Sequence, residues 1–159
     1  MTIHTKPKRA VEEVSTVWRY AVKFVRGCSD GSLLAKGVYV TVITLYNSRA
    51  EAVRFRRKLA VSLSADEPDA MLDPPFGSLG PHGTLTIDCA NIFKEVDPPQ
   101  SGVHTGYVIL ESLAQLNVAA IYTAAGADGY VVGFKIEDVE KRAENNHGCY
   151  PIHRRQCWW

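Results

Sequence analysis

A run of β-branched and aromatic residues near the start of the chain limits the fold most strongly: Gly37-Val-Tyr-Val-Thr-Val-Ile-Thr-Leu-Tyr-Asn47. A second run of strand-forming residues covers 51–63. Between the two, Asn47-Ser-Arg-Ala50 supplies the residue types of a turn. Since both runs favour extended backbone, this pattern predicts an antiparallel hairpin at the centre of a β domain. Both faces of the first run are apolar, which is typical of a central strand.

Further strand patterns follow along the whole chain. Apolar and polar residues alternate in 18–25 and 84–89, and short apolar runs cover 106–112, 117–124 and 130–136. The runs 106–112 and 117–124 are separated by only four residues, which predicts a second hairpin. No segment shows sustained helical periodicity. We therefore expect about seven strands in an all-β, two-sheet antiparallel β-sandwich, Ig-like or jelly-roll-like.

The length and composition favour one domain. A chain of 159 residues with 46% hydrophobic residues can bury one substantial core. We predict a charged N-terminal arm over residues 1–16, the β-sandwich over 17–137 and a tail over 138–159. The charged run 137–144, where the sandwich meets the tail, suits one or two helical turns that Asn145-Asn146 would end. No apolar run resembles a signal peptide or a membrane span, so we expect a cytoplasmic protein with no membrane partner. A net charge of +1 gives no general attraction to nucleic acid.

The second strand of the central hairpin carries a basic face. Arg54, Arg56 and Lys58 share one parity, opposite the apolar residues of the same strand. Three cations on one sheet face suit a small anionic ligand or a phosphate group. The alternative is a solvated face that discourages pairing with other strands.

Two long irregular segments, 64–83 and 90–105, are candidate contact loops because they are rich in proline and glycine. Each carries one histidine, His82 and His104. These histidines belong to the candidate ligand site, and with Asp88 and Glu111 they could also form an enzyme site. No phosphate-binding loop, nucleophile elbow or zinc-protease motif occurs, and we expect no cofactor.

The tail combines potential metal ligands with aromatic residues. His147, Cys149, His153 and Cys157 offer ligands that tetrahedral zinc prefers, although their close spacing would crowd an ion. Adjacent terminal tryptophans are costly to expose, and arginine and aromatic residues favour protein interfaces. We therefore favour docking on a second subunit over metal binding and over stacking on single-stranded nucleic acid, which is not an expected partner. The residues of this docking segment are Arg154, Arg155, Trp158 and Trp159.

Several segments between residues 18 and 137 resemble a family of small uncharacterised bacterial β proteins. They are Tyr20-Ala-Val-Lys-Phe-Val25, Gly37-Val-Tyr39, Phe55-Arg-Arg-Lys58, Leu85-Thr-Ile-Asp-Cys89, Gly106-Tyr-Val-Ile-Leu-Glu-Ser112 and Val118-Ala-Ala-Ile-Tyr-Thr-Ala-Ala-Gly126. More remotely, the order of elements is similar to that of the sensory rhodopsin transducer superfamily. That resemblance implies an oligomeric β-sandwich that binds small molecules, with no ligand contact assigned to a particular residue.

These observations favour a non-enzymatic, homo-oligomeric binding module that recognises a small ligand or a protein partner through its loops and basic strand. The alternative is a structural protein that assembles into a ring or filament through strand edges and the tail. An enzyme that uses the loop histidines is the third hypothesis.

Overall fold

A computed structural model describes residues 15–62, 70–72, 76–88, 91 and 102–146. Within these ranges the chain forms ten strands, and every strand pair is antiparallel. The strands are β1 (Ser15–Ser29), β2 (Gly37–Tyr46), β3 (Val53–Ser62), β4 (Ala70–Leu72), β5 (Gly77–Leu79), β6 (Thr84–Asp88), β7 (Val103–Ser112), β8 (Asn117–Ala125), β9 (Val131–Asp138) and β10 (Lys141–Asn146). The all-β antiparallel prediction is confirmed.

The strands form one continuous hydrogen-bonded sheet in the order β4-β3-β7-β1-β2-β8-β9. β5 joins the path at β3, β6 at β2 and β10 at β1. β1 links the two halves, because it pairs with β7 along most of its length and with β2 only at Gly27 to Ser29.

Both predicted hairpins are wrong in their pairing. β2 pairs with β8, β6 and β1, whereas β3 pairs with β7, β4 and β5. In the same way, β7 pairs with β1 and β3 but not with its successor β8. Turn residues show that the chain reverses direction, but not whether the next strand joins the same half of the sheet or the opposite half. Both turns connect the two halves.

Asn47 organises the first of these crossings. Its side chain is fully buried, and its Nδ2 donates to the carbonyl oxygens of Glu51 and Gly80, each at 2.8 Å. Its Oδ1 accepts a hydrogen bond from the backbone N–H of Arg49 at 3.0 Å. One buried amide thus satisfies backbone groups of two separate segments, as buried polar groups require.

One hydrophobic core lies between the two halves. Tyr20 shows how they are joined: its hydroxyl donates to the carbonyl of Leu116 and accepts from the N–H of the same residue, both at 2.8 Å. Burial of Tyr20 raises the pKa of its hydroxyl, opposed by the hydrogen bond to Leu116, so the group remains a donor at neutral pH. The core also contains Val22, Phe24, Ile43, Leu45, Val53, Phe55, Leu59, Val61, Leu79, Ile87, Val108, Leu110, Leu116, Val118 and Ala120.

The count of about seven strands was too low because three short or charged segments also pair. β4 and β5 form within the proline- and glycine-rich segment 64–83, which we predicted to lack regular elements. Of residues 137–144, predicted as one or two helical turns, the first two end β9 and the last four begin β10. Since β10 pairs with the first six residues of β1, the ordered sheet extends from Ser15 to Asn146, beyond the predicted bounds of 17–137.

Among the residues described, no helix has the length and apolar character needed to cross a membrane.

Candidate functional site

The predicted basic face lies on the outer side of the β3–β7–β1 half. Arg54, Arg56 and Lys58 project away from the side of β3 that buries Val53 and Phe55. In the sheet register, Arg56 lies directly opposite Glu111 of β7, and Glu111 lies directly opposite Arg19 of β1. The basic strand therefore faces a central carboxylate.

Glu111 is the centre of an ion-pair network. Its Oε1 accepts hydrogen bonds from Arg19 Nε at 3.1 Å, Arg19 Nη2 at 2.8 Å and Lys58 Nζ at 3.0 Å. Burial of the side chain raises the pKa of the Glu111 carboxyl, but the hydrogen bonds and charges of Lys58 and Arg19 outweigh it. The net pKa lies below its ordinary value, so Glu111 is ionised at neutral pH but is a weak base. A general base works best when its pKa is raised towards the operating pH.

The other two cations also contact groups of the protein. Arg54 lies over the ring of Phe76, 5.3 Å from its centroid. Partial burial lowers the pKa of Arg56, whereas the charge of Glu111 opposes that shift. Since Lys58 and Arg19 bind the same carboxylate, this network holds β1, β3 and β7 together. Anion binding by this face stays a prediction.

The structure does not bring His82 and His104 together. His104 pairs with Arg26 near the start of β7, whereas the other end of β7, at Ser112, pairs with Phe55. His82 lies beyond that second end, in the turn after β5. Eight residues of β7 alone separate the two ends by roughly 25 Å. His82 and His104 therefore do not meet in one site within a chain, and a role for either histidine in ligand binding stays a prediction.

His82 has a structural position instead. Its backbone N–H donates to the carbonyl of Arg49 at 3.1 Å, and its φ of 52° places it in the left-handed region.

The predicted zinc and docking residues lie outside the described residues. These are His147, Cys149, Arg154, Arg155, His153, Cys157, Trp158 and Trp159. Within the described ranges, no group of three or more potential metal ligands is close enough to hold an ion.

A cleft that the sequence did not reveal opens beside β1. On the edge of β1 opposite β7, β10 pairs with Ser15 to Tyr20 and β2 pairs with Gly27 to Ser29. The intervening residues 21–26 have no strand partner on that edge in the described part of the chain. A side chain forms hydrogen bonds with some of the backbone groups that a partner strand would otherwise bind. Thr41 Oγ1 accepts from the N–H and donates to the carbonyl of Val25, both at 3.0 Å.

The cleft has a volume of about 480 Å³ and is open to solvent on one side. This volume falls within the range of small-molecule sites. Four strands and the residue that follows β9 form its lining, which consists of Ala21, Val22, Lys23, Tyr107, Tyr122, Lys135, Glu137 and Val139.

Tyr122 fixes the geometry of the cleft. Its hydroxyl donates to the carbonyl of Lys23 at 3.1 Å, which ties β8 to the unpaired part of β1. Burial raises the pKa of the Tyr122 hydroxyl, and the nearby Glu137 charge adds to the effect, so the hydroxyl stays protonated and donating at neutral pH.

Two ammonium groups lie at this cleft. Lys135 Nζ is 5.8 Å from the centroid of the Tyr122 ring and forms an ion pair with Glu137 Oε2 at 3.0 Å. Lys23 is exposed and forms no ion pair with any described residue. Val22, which is 1% exposed and belongs to the core, contributes an apolar part of the lining. The cleft thus combines apolar, aromatic and cationic surface.

Sequence reasoning missed all the cleft residues. Tyr107, Tyr122 and Lys135 lie on three different strands, and only the pairing of the strands makes them neighbours. The one available signal was that Tyr122 of β8 shares the strand face of the buried residues Val118 and Ala120, although it is polar. Alone, that pattern is typical of any strand near the edge of a sheet.

Comparisons with known proteins leave the chain without a family assignment. No protein-family model matches it, and no curated protein matches it. Among solved structures, it is similar to the protein of the crystal structure of Thermotoga maritima 1070, with a TM-score of 0.48 and 12% sequence identity. The similarity covers 80% of this chain and 95% of that one.

Proposed function

We propose that the protein is a non-enzymatic binding module and that the cleft beside β1 takes a small carboxylate with an apolar or aromatic body. The observation that carries the proposal is the joint presence of two tyrosine rings, apolar residues and two lysines around one cavity of about 480 Å³. Small-molecule sites are largely apolar, with a few polar groups that fix orientation.

The distribution of charge favours an anion. Lys135 already has Glu137 as a partner, so its charge is largely balanced. Lys23 has no such counter-charge among the described residues, which leaves the cleft with an excess of one positive charge. A carboxylate that binds beside Lys23 would compensate it, and Lys135 would provide a second donor.

The rings favour a flat apolar body. Tyr107 is 46% exposed, so it can cover a ligand without first leaving the core. Tyr122 is held by its hydrogen bond to Lys23, so one wall is ordered before a ligand arrives. A wall that is ordered in advance lowers the entropy lost on binding.

Phenylacetate is a suitable probe, and phenylacetamide is its uncharged match. We expect phenylacetate to bind more tightly and to shift the backbone amide resonances of Lys23, Tyr107 and Tyr122 in NMR titrations. Lys23→Gln should weaken phenylacetate binding about five- to tenfold, since one partly exposed ion pair contributes about 1 kcal/mol. The same substitution should leave phenylacetamide binding unchanged.

Two matched variants distinguish this site from other anion sites. Lys36→Gln removes an exposed lysine that does not line the cleft and should have no effect. Arg54→Gln tests the basic face. The proposal fails if phenylacetate does not bind, if Lys36→Gln weakens it equally, or if Arg54→Gln weakens it while Lys23→Gln does not. The last result would place the anion on the β3 face.

Self-association is the second candidate function. A different observation supports it, namely the exposed apolar side chains of β9, for which an occupant is inferred below.

A further inference from the structure

β9 exposes apolar side chains on the face opposite the cleft. Val132 is 73% exposed, Phe134 is 62% exposed and Ile136 is 60% exposed. Lys135 and Glu137, which alternate with them, line the cleft instead. One side of this strand therefore contributes to the ligand site, whereas the other side is apolar and uncovered by the described residues.

The apolar surface continues across the neighbouring strands. In the register, Ile136 lies opposite Ile121 and Phe134 opposite Thr123 of β8. On β2, Val42 lies opposite Ile121 and Val40 opposite Thr123. We call the outer surface formed by these side chains of β2, β8 and β9 the apolar face.

Charged residues lie at the margins of the apolar face. Asp138 lies opposite Ala119 at the end of β9, and Asp88 of β6 lies beside Val42, on the edge of β2 that faces away from β8. The positions between them carry valine, isoleucine, threonine, phenylalanine and alanine. Water therefore contacts a continuous apolar area, and burial of such area contributes about 25 cal/mol per Å².

We infer that the occupant of the apolar face is the same face of a second copy of this chain, packed about a two-fold axis. A two-fold interface brings one patch against itself, so the patch must be self-complementary. An apolar centre meets this condition because it brings no like charges together. A partner recognised by charge would need countercharges at the centre of the patch, and the apolar face has none there.

The exposure of the apolar face agrees with a dimer. Its three most exposed side chains, Val132, Phe134 and Ile136, are each at least 60% exposed, so the apolar face is a contiguous patch of the kind that marks protein interaction sites. Stable interfaces bury about 800 Å² on each partner, with an apolar centre and a polar rim, and the apolar face would supply that centre. Flat sheet faces also pack well on each other, with the two sheets about 10 Å apart.

Light scattering on a sizing column tests the inference with the full chain. We expect twice the monomer mass of 17.6 kDa for the unmodified protein. Phe134→Glu places a charge in the centre of the interface and should yield the monomer mass. Because Phe134 is already exposed in the single chain, this variant should retain its fold, which circular dichroism would confirm.

Leu33→Glu is the matched control. Leu33 is 71% exposed in the connection between β1 and β2 and belongs to none of the strands that form the apolar face, so this variant should remain a dimer. A dimer that survives Phe134→Glu, or one that Leu33→Glu dissociates equally, overturns the inference. A monomeric full-length chain also overturns the inference. If the full chain is monomeric but a chain ending at Asn146 forms a dimer, residues 147–159 are the occupant that covers the apolar face.

The inference is independent of the ligand site. Phe134→Glu should leave phenylacetate binding unchanged, and Lys23→Gln should leave the particle mass unchanged. Failure of one proposal therefore does not count against the other.

Discussion

Substitution of Glu111 by glutamine is the most informative test of the ion-pair network. Glutamine keeps the shape of the side chain and one acceptor oxygen, but it removes the negative charge that binds Arg19 and Lys58. Both cations would then lie about 3 Å from a neutral amide on the same sheet face. The change isolates the charge of one carboxylate without creating a cavity.

The expected loss of stability follows from burial. The Glu111 side chain is 9% exposed, while those of Lys58 and Arg19 are 21% and 38% exposed. Removal of one partner from a fully buried ion pair costs about 3–5 kcal/mol. Since both cations reach water and Arg19 also pairs with Glu144 at 2.6 Å, we expect about 2–3 kcal/mol here. In a domain of this size, that corresponds to a decrease of about 5–10 °C in Tm.

The effect should depend on pH with a definite sign. The pKa of Glu111 in the folded protein lies below its ordinary value of 4.5, so the unfolded chain binds the extra proton first as pH falls. The stabilisation from the carboxylate is therefore complete above pH 4.5 and is lost as pH falls through the lower, folded pKa. The Tm difference between the unmodified protein and Glu111→Gln should be constant near neutral pH and shrink in acid.

Thermal unfolding monitored by circular dichroism between pH 2.5 and pH 7 measures both quantities. Glu51→Gln is the control, because Glu51 is 74% exposed and lies 3.7 Å from Arg49, so it should change stability by less than about 0.5 kcal/mol. A Glu111→Gln variant as stable as the unmodified protein at pH 7 would refute the reasoning. So would a Tm difference that grows as the pH falls below 4.5.

Two further substitutions test the fold. Asn47→Ala removes four side-chain hydrogen bonds, one of them long at 3.4 Å, from a fully buried site and should cost about 2–4 kcal/mol in urea unfolding. Asn117→Ala at the exposed start of β8 should be nearly neutral, and similar losses in the two variants would contradict the role of Asn47. A Cβ at Gly106 would collide with a backbone carbonyl of β3 and lie 2.7 Å from the Phe24 ring, so Gly106→Ala should cost at least about 2 kcal/mol. Gly80→Ala, which has open space at the Cβ position, is its control, and equal stability of these two variants would contradict the close packing of β3 on β7.

Local pattern determined a large part of the secondary structure. Alternation in β3 correctly separated buried Val53, Phe55, Leu59 and Val61 from the basic outer positions. This succeeded because successive side chains of a strand point to opposite faces whatever the strand pairs with. The same alternation in β2 identified two apolar faces, of which Ile43 and Leu45 on one face are buried.

The partners of each strand were decided only by the tertiary structure. A reversal such as that at Asn47 has the same residue types in a hairpin and in a crossing between two halves of a sheet, so the sequence favoured the wrong pairing for β2 and for β7. The cleft follows from that pairing, because it forms where β1 lies between the ends of β10 and β2. Lys23, Tyr107, Tyr122 and Lys135 are separated by up to 112 positions, and no local pattern relates them. Alternation along a strand therefore determined which residues lie on each face, and long-range pairing alone determined which faces meet.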